Sequence, residues 1–410
     1  MGHKKVIFLF ILFLVQFQVV AGGYQVNLQG NKQLGMGHCG IGLLRGSSTV
    51  FFNPGGISLL KNNSFSVGTS LVFANTLYQE PSPGVYQTNT LPNLGTPVYL
   101  YANFKLKEDS KLAFGLSVNT PFGSTIEYED NWLGQALMQK MSLKAFFIQP
   151  TISYKINDKI GVGAGFVYGA GSFSIEKAVP VQDQNGDYGK GTLSGKANGY
   201  GYNVGVFINA TDQLTVGLTY RSKVIVGTDK GKADFQVASS LEEYFPSTTF
   251  STELKMPGVV NLGLGYKVND KITFALDLNY VTWGVYDSLS FDFVDNTEKL
   301  EDIASPRNYK NTLIYRFGAE YKINDMLTGR CGAYFDTSPV QDGYMTPETP
   351  GSDKTGFTAG VSMTFGRFDV DLSYLYVFGQ QRTDINLETG FGGTWKSSAN
   401  ILGLGVEYRF

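Results

Sequence analysis

Two histidines and two cysteines are all that this 410-residue chain offers to several kinds of chemistry. A serine nucleophile needs a positioned imidazole, and a zinc centre needs clustered His or Cys ligands. His3 lies at the extreme N-terminus, His38 stands alone, and Cys39 and Cys331 are far apart, so no catalytic residue, metal or cofactor is expected. Charge is scarce as well. Charged residues make up 17% with a net charge of −2, which gives no reason to expect nucleic acid as a partner. Long apolar runs are missing beyond residue 20. Any residence in a membrane must therefore come from strands rather than helices.

What is abundant is glycine (50), phenylalanine (30) and tyrosine (24), a composition suited to strands that are apolar on one face only. The chain starts with a basic pair, Lys4-Lys5, an apolar run over residues 6–20, and Val19-Val20-Ala21 as a cleavage pattern. We read residues 1–21 as a signal peptide, with a membrane-spanning anchor as the alternative; the run is short of the roughly 20 residues a bilayer needs. Residues 22–62 are glycine-rich without sustained alternation and read as a plug or hatch. From residue 63 the period becomes two. Leu112, Phe114, Leu116 and Val118 alternate with Ala113, Gly115 and Ser117, and Ile272, Phe274, Leu276, Leu278 and Tyr280 alternate with Thr273, Ala275, Asp277 and Asn279.

Six tight turns are expected at Glu108-Asp109, Asn157-Asp158, Thr211-Asp212, Asn269-Asp270, Asn324-Asp325 and Gly366-Arg367. Seven longer loops lie near residues 79–95, 123–142, 179–191, 230–250, 291–307, 337–354 and 380–394. Six turns and seven loops join fourteen strands. The predicted fold is all-β: a transmembrane antiparallel β-barrel of about 14 strands over residues 63–410, its lumen plugged by the N-terminal hatch. The chain ends on Phe410 after an apolar-faced strand, an ending that resembles the signal read by the bacterial outer-membrane assembly machinery. Cys331 is expected to face lipid and Cys39 the lumen, so no disulfide should join them.

Several segments resemble the FadL/TodX family of outer-membrane transport proteins for hydrophobic compounds. They are Gly35-Met36-Gly37 leading to residues 48–57 with Asn53-Pro54-Gly55; Thr120-Pro121-Phe122-Gly123 followed by Trp132; residues 257–266 followed by Asp277 and Trp283; and residues 315–321 followed by Arg330, Ser338-Pro339 and Thr346-Pro347. The family has Asn-Pro-Ala in its hatch, and Gly55 here replaces the alanine. The resemblance implies uptake of long-chain fatty acids or aromatic hydrocarbons across the bacterial outer membrane. It also implies loop capture, hatch rearrangement, and lateral release at an inward kink of the third strand.

Carried onto these residues, the kink falls at Asn119, Thr120, Pro121, Phe122 and Gly123. Pro121 lacks the N–H a ladder needs; alternatively the strand simply ends at Asn119. Candidate contacts for a hydrophobic ligand are Val50, Phe51 and Phe52 in the hatch, Trp132, Leu133, Leu137 and Met138 on a short amphipathic helix within residues 123–142, and Leu241, Tyr244 and Phe245. Packing within the hatch and loops is the alternative for all of these. Arg221, Asp277, Arg316, Glu320 and Arg330 face the lumen, where they hold the hatch or bind a substrate carboxylate. The expected partners are a hydrophobic small molecule and outer-membrane lipid, with a monomeric chain. A general porin, a receptor or adhesin barrel, and a membrane-embedded lipase or protease built on His38 are the rival readings.

Overall fold

A computed structural model describes residues 23–410 apart from residue 108. The expected leader over residues 1–21, residue 22 and Glu108 of the first tight turn lie outside the described residues. Fourteen antiparallel strands form a closed barrel: β1 (Ser64–Gln79), β2 (Val98–Phe104), β3 (Leu112–Glu127), β4 (Lys140–Lys155), β5 (Ile160–Gln182), β6 (Tyr188–Asn209), β7 (Leu214–Arg221, resuming as Val224–Gln236), β8 (Thr248–Met256, resuming as Val259–Lys267), β9 (Ile272–Val281, resuming as Ser288–Phe293), β10 (Ile303–Pro306, resuming as Thr312–Lys322), β11 (Leu327–Asp336), β12 (Lys354–Phe365), β13 (Phe368–Gly379) and β14 (Gly392–Arg409). The ladder from Ser64↔Arg409 to Gln79↔Thr394 joins β14 to β1 and leaves no free edge. Three tight turns share one device. Asn157, Asn269 and Asn324 each accept two backbone N–H bonds at 2.8–2.9 Å, from the residues two and three further on.

Two halves of the wall have opposite amphipathicity. Near the tight turns the outward face is apolar (Leu276 is 52% exposed), while Asp277 and Asn279 are buried against the lumen. Nearer the long loops the phase inverts. Phe291, Phe293, Leu254 and Met256 point inward, and Ser290, Asp292, Glu253 and Lys255 point outward. In β7 and β8, breaks at residues 222–223 and 257–258 produce the switch. Inward positions are odd below them (Thr219, Arg221; Gly263, Gly265) and even above (Val224, Val226; Met256), as expected when an extra residue shifts the register by one. In β9 the inward positions stay odd, and the side chains on them change from Asp277 and Asn279 to Phe291 and Phe293.

The hairpins also run further than the bilayer requires. β5 and β6 continue to Gln182 and Tyr188, so the expected loop at 179–191 shrinks to residues 183–187. Residues 230–236 likewise belong to β7. Residues 128–139 contain turns and no helix, a correction to the amphipathic helix expected there. The reason is Trp132, which folds the loop back on itself by donating from Nε1 to the Met138 carbonyl at 2.8 Å.

The N-terminal segment fills the lumen with short helices at Asn31–Leu34 and Thr49–Phe52 and tight 3-10 turns at Gly46–Ser48 and Pro54–Leu59. It lies against the wall at Asn53-Pro54-Gly55. A Cβ on Gly55 would sit 2.6 Å from the Gly205 carbonyl oxygen, and one on Gly163 would sit 2.4 Å from that of Pro54. Glycine in place of the family's alanine therefore lets this hatch lie flush on a glycine-lined wall. Cys39 is buried, Cys331 is exposed on the outer wall, and both are free.

Candidate functional site

The lumen charges anchor the hatch. Lys32 reaches Asp369 at 2.7 Å, Asp371 at 4.0 Å and Glu407, three carboxylates on β13 and β14. Arg45 meets Glu320 at 2.9 Å, and Arg330 meets the other oxygen of that carboxylate at 2.7 Å. Asp277 accepts the backbone N–H groups of Gly40 and Ile41 at 2.8 and 3.1 Å. Arg221 donates to the Phe51 carbonyl at 3.0 Å and lies 4.4 Å over the Phe51 ring. Asn53 donates to the carbonyls of Ile41 and Val206 and accepts from Gly55 N–H, stitching hatch to wall.

Arg316 donates to the His38 carbonyl at 3.1 Å, and its Nη1 lies 2.6 Å from His38 Nδ1. His38 Nε2 accepts the Gln29 N–H at 3.1 Å. Both ring nitrogens thus face donors, which leaves no acceptor for a second ring proton. Burial first, and the Arg316 charge second, hold the imidazole well below its usual range.

At the third strand the ladder with β2 runs only as far as Tyr99↔Asn119. β3 itself continues through Pro121 to Glu127. Its register with β4 steps from Asn119↔Phe147 to Phe122↔Ala145, one extra residue on the β3 side. This is a bulge, as a residue without an N–H in mid-strand demands. Above it the hatch supplies the missing partner. Val26 N–H donates to the Pro121 carbonyl at 2.9 Å, Gly123 N–H donates to the Tyr24 carbonyl at 3.2 Å, and the Gln29 side chain donates to the Thr120 carbonyl at 3.2 Å. Phe122 turns inward and packs against Tyr24, Phe147 and Trp283, with ring centroids 6.0, 5.7 and 6.5 Å away.

Above this aromatic floor lies a cavity of about 170 Å³. Its walls are the inverted upper strands: Met141, Leu143, Phe173, Ile175, Leu193, Val226, Leu254, Met256, Leu289, Phe291 and Ile303, with Tyr24 and Tyr286 deeper. Its few polar groups include Lys177 and the Arg307–Glu348 pair at 2.8 Å. A second space of about 50 Å³ lies on the hatch side, lined by Gln25, His38, Phe51, Phe52, Pro121, Phe122, Arg221 and Arg316.

Of the expected ligand contacts, only Leu137 and Met138 line the apolar cavity. Trp132 is wholly buried, stacked on Tyr128 with ring centroids 4.0 Å apart. Val50 packs with Ile57 of the hatch and with Tyr101 of β2. Leu133 is exposed; Leu241, Tyr244 and Phe245 are half-buried at the loop tips. The wall residues were missed because alternation was read with one phase throughout. The signal that finds them is the reversal itself, as where Phe173 and Ile175 sit between Ser172, Ser174 and Glu176.

The same architecture recurs in known proteins. The chain is 26% identical to a 47 kDa outer membrane protein of Pasteurella multocida, over 97% of this chain and 96% of the relative. It is 22% identical to a long-chain fatty acid transport protein of Escherichia coli, over 97% and 96%. The crystal structure of a Pseudomonas aeruginosa FadL homologue superimposes with a TM-score of 0.81 at 17% identity, covering 95% of this chain and all of that one. The family model described as outer membrane protein transport protein (OMPP1/FadL/TodX) matches residues 12–410. With its hatch-filled fourteen-stranded barrel, the chain belongs to that outer-membrane family of hydrophobic-compound transporters.

Proposed function

We propose that this transporter takes up single-tailed amphiphiles with an acidic head, long-chain fatty acids being the leading class. The observation that carries the proposal is the apolar cavity with Lys177 in its wall. Among the described residues no carboxylate pairs with that lysine. Lys177 lies toward the loop end of β5 and Tyr24 at the cavity floor, so a tail enters first and the head stays at the rim. A cavity of ~150 Å³ lined by apolar side chains holds one benzene, so a long tail must also displace the floor. Tyr24 is that floor and is also part of the hatch strand pairing with Phe122 and Gly123. Its displacement would free the third-strand edge and open a lateral path to the membrane between β2 and β3. Leu133, Leu241, Tyr244 and Phe245 are then the first apolar contacts outside.

Lys177→Met tests the assignment. Hydrogen bonds to charged groups are worth roughly 1.5–3 kcal/mol, so oleate binding should weaken about tenfold or more. Toluene binding should hold. Equal affinity of both proteins for oleate would overturn the acidic head. Mass spectrometry of the ligand extracted from purified protein separates this class from neutral aromatic hydrocarbons. Large steady single-channel openings of the intact protein would favour a porin instead.

A further inference from the structure

The outer wall carries a basic patch that the transport reading does not use. Lys144 on β4 and Lys196 on β6 both pair with Ser172 of the intervening β5. They stand on one outward row, two strand spacings or about 10 Å apart at the backbone. Both are exposed. The outward row next to them toward the tight turns begins the lipid-facing belt with Phe146, and Ile148, Tyr168 and Tyr200 follow. The pair therefore sits where the wall passes from apolar to polar outward residues, the level of lipid headgroups.

Beside it, the break in β7 leaves a surface groove of about 440 Å³ between β6 and β7, lined by Asn198, Tyr200, Lys223, Ile225 and Glu253. Lys223 is exposed, and among the described residues none of the three lysines has an ion-pair partner. This distinguishes them from Lys140 and Lys190, which sit further toward the loops and pair with Glu127 and Glu176 at 3.0 and 2.5 Å. Glu253 is the one carboxylate in the groove, and Asp229 and Lys230 in the adjoining bulge cancel each other. Three lysines against one carboxylate leave a net +2 facing the leaflet.

We infer that this patch holds a phosphorylated lipid of the outer leaflet, its phosphate between Lys144, Ser172 and Lys196 and an acyl chain along Tyr200 and Ile225 beside Lys223. Two ammonium groups flanking a small hydroxyl residue suit a phosphate, which accepts charge-assisted hydrogen bonds from several donors. Lysine stems can lie along the apolar belt while their heads stay with the phosphates. The exposed lysines and the groove lie on the outside of the barrel, and Lys144 and Ser172 are also among the residues bordering the apolar cavity.

The test uses the full protein in detergent, incubated with lipid A or with dephosphorylated lipid A and examined by native mass spectrometry. We expect at least a tenfold preference for the phosphorylated lipid. The preference should vanish in Lys144→Gln/Lys196→Gln/Lys223→Gln and persist in the corresponding triple Arg variant and in Lys140→Gln/Lys190→Gln. Heat-modifiable electrophoretic mobility verifies that each variant is a closed barrel, and the Arg variant keeps the test alive if the Gln variant does not fold. No preference in the native protein would overturn the site, as would equal loss in the Lys140/Lys190 variant. Inorganic phosphate competing as well as lipid A would also overturn it, because the groove would then contribute nothing.

Discussion

The two ends of this barrel solve opposite solvation problems with the same alternating strand. Near the tight turns the outside is hydrocarbon and the inside is a charged lumen, so Leu276 and Leu278 face out and Asp277 and Asn279 face in. Near the long loops the outside is water and the inside is a cavity, so Ser290 and Asp292 face out and Phe291 and Phe293 face in. The lower lumen binds the hatch through ions and amides. The upper lumen lines its cavity mainly with apolar side chains, Lys177 and the Arg307–Glu348 pair being among its few polar groups. The change of phase happens at the height where β3 bulges, where β7 and β8 break, and where Tyr24 and Phe122 close the floor.

The sharpest way to break the lower half is to remove its central charge. Lys32→Ala would leave Asp369, Asp371 and Glu407 facing one another with Arg409, 2.7 Å from Asp369, as the nearest remaining cation. Removing one partner of a buried ion pair costs about 3–5 kcal/mol. The hatch should loosen, seen as bursts of single-channel conductance and new protease cuts within residues 23–63. Lys32→Arg should retain most of the closure. A silent, protease-resistant Lys32→Ala protein would mean that glycine-lined packing, rather than charge, seats the hatch.

The upper half should respond to polarity by face. Phe291→Asn removes a buried apolar side chain and should weaken ligand binding while costing roughly 1.5–3 kcal/mol of barrel stability. The neighbouring outward Ser290→Phe should change neither. Below, the rule inverts. Leu276→Lys on the lipid face costs about 2–4 kcal/mol of barrel stability by midplane-type desolvation and should leave ligand affinity alone. If Phe291→Asn and Ser290→Phe behaved alike, the inverted phase would carry no functional meaning.

The strand count was legible because every tight turn announces itself: Asn157, Asn269 and Asn324 pair with Asp in a local geometry that needs no distant contact. The interruption of pairing in the third strand was legible for the same reason, since Pro121 lacks its donor wherever it is placed; whether the strand bulged there or ended at Asn119 was not. Nor was the cavity. Phe173, Leu254 and Phe291 come from strands far apart in sequence. The face of Leu254 depends on the break at residues 257–258, while Phe173 and Phe291 keep the inward parity of their strands and only the side chains there change from small or polar to apolar. Trp132 shows the other failure. Its apolar company suggested a capture surface, yet its indole N–H is spent on Met138, and the residue acts by placing Met138 and Leu137 in the cavity wall. That Gln29 links the hatch to the Thr120 carbonyl could not be read from any local pattern.

That last contact gives the smallest effect and the finest test of how the halves communicate. His38 takes the Gln29 N–H, and the Gln29 side chain takes the Thr120 carbonyl at the bulge. Burial and Arg316 depress the imidazole, so the released hatch binds more protons than the seated one. Seating is therefore fully stabilised above the unperturbed value near 6.5 and weakens as pH falls below it, by up to about 1.4 kcal/mol per pH unit. Moving from pH 7.5 to 5.5 should raise the open fraction of the channel by up to about tenfold. His38→Gln cannot take up the proton and should flatten that profile, whatever its open fraction at pH 7.5. A native-like acid response in His38→Gln would assign the pH dependence to the carboxylates around Lys32 instead, and the contact between hatch and third strand would lose its role in opening.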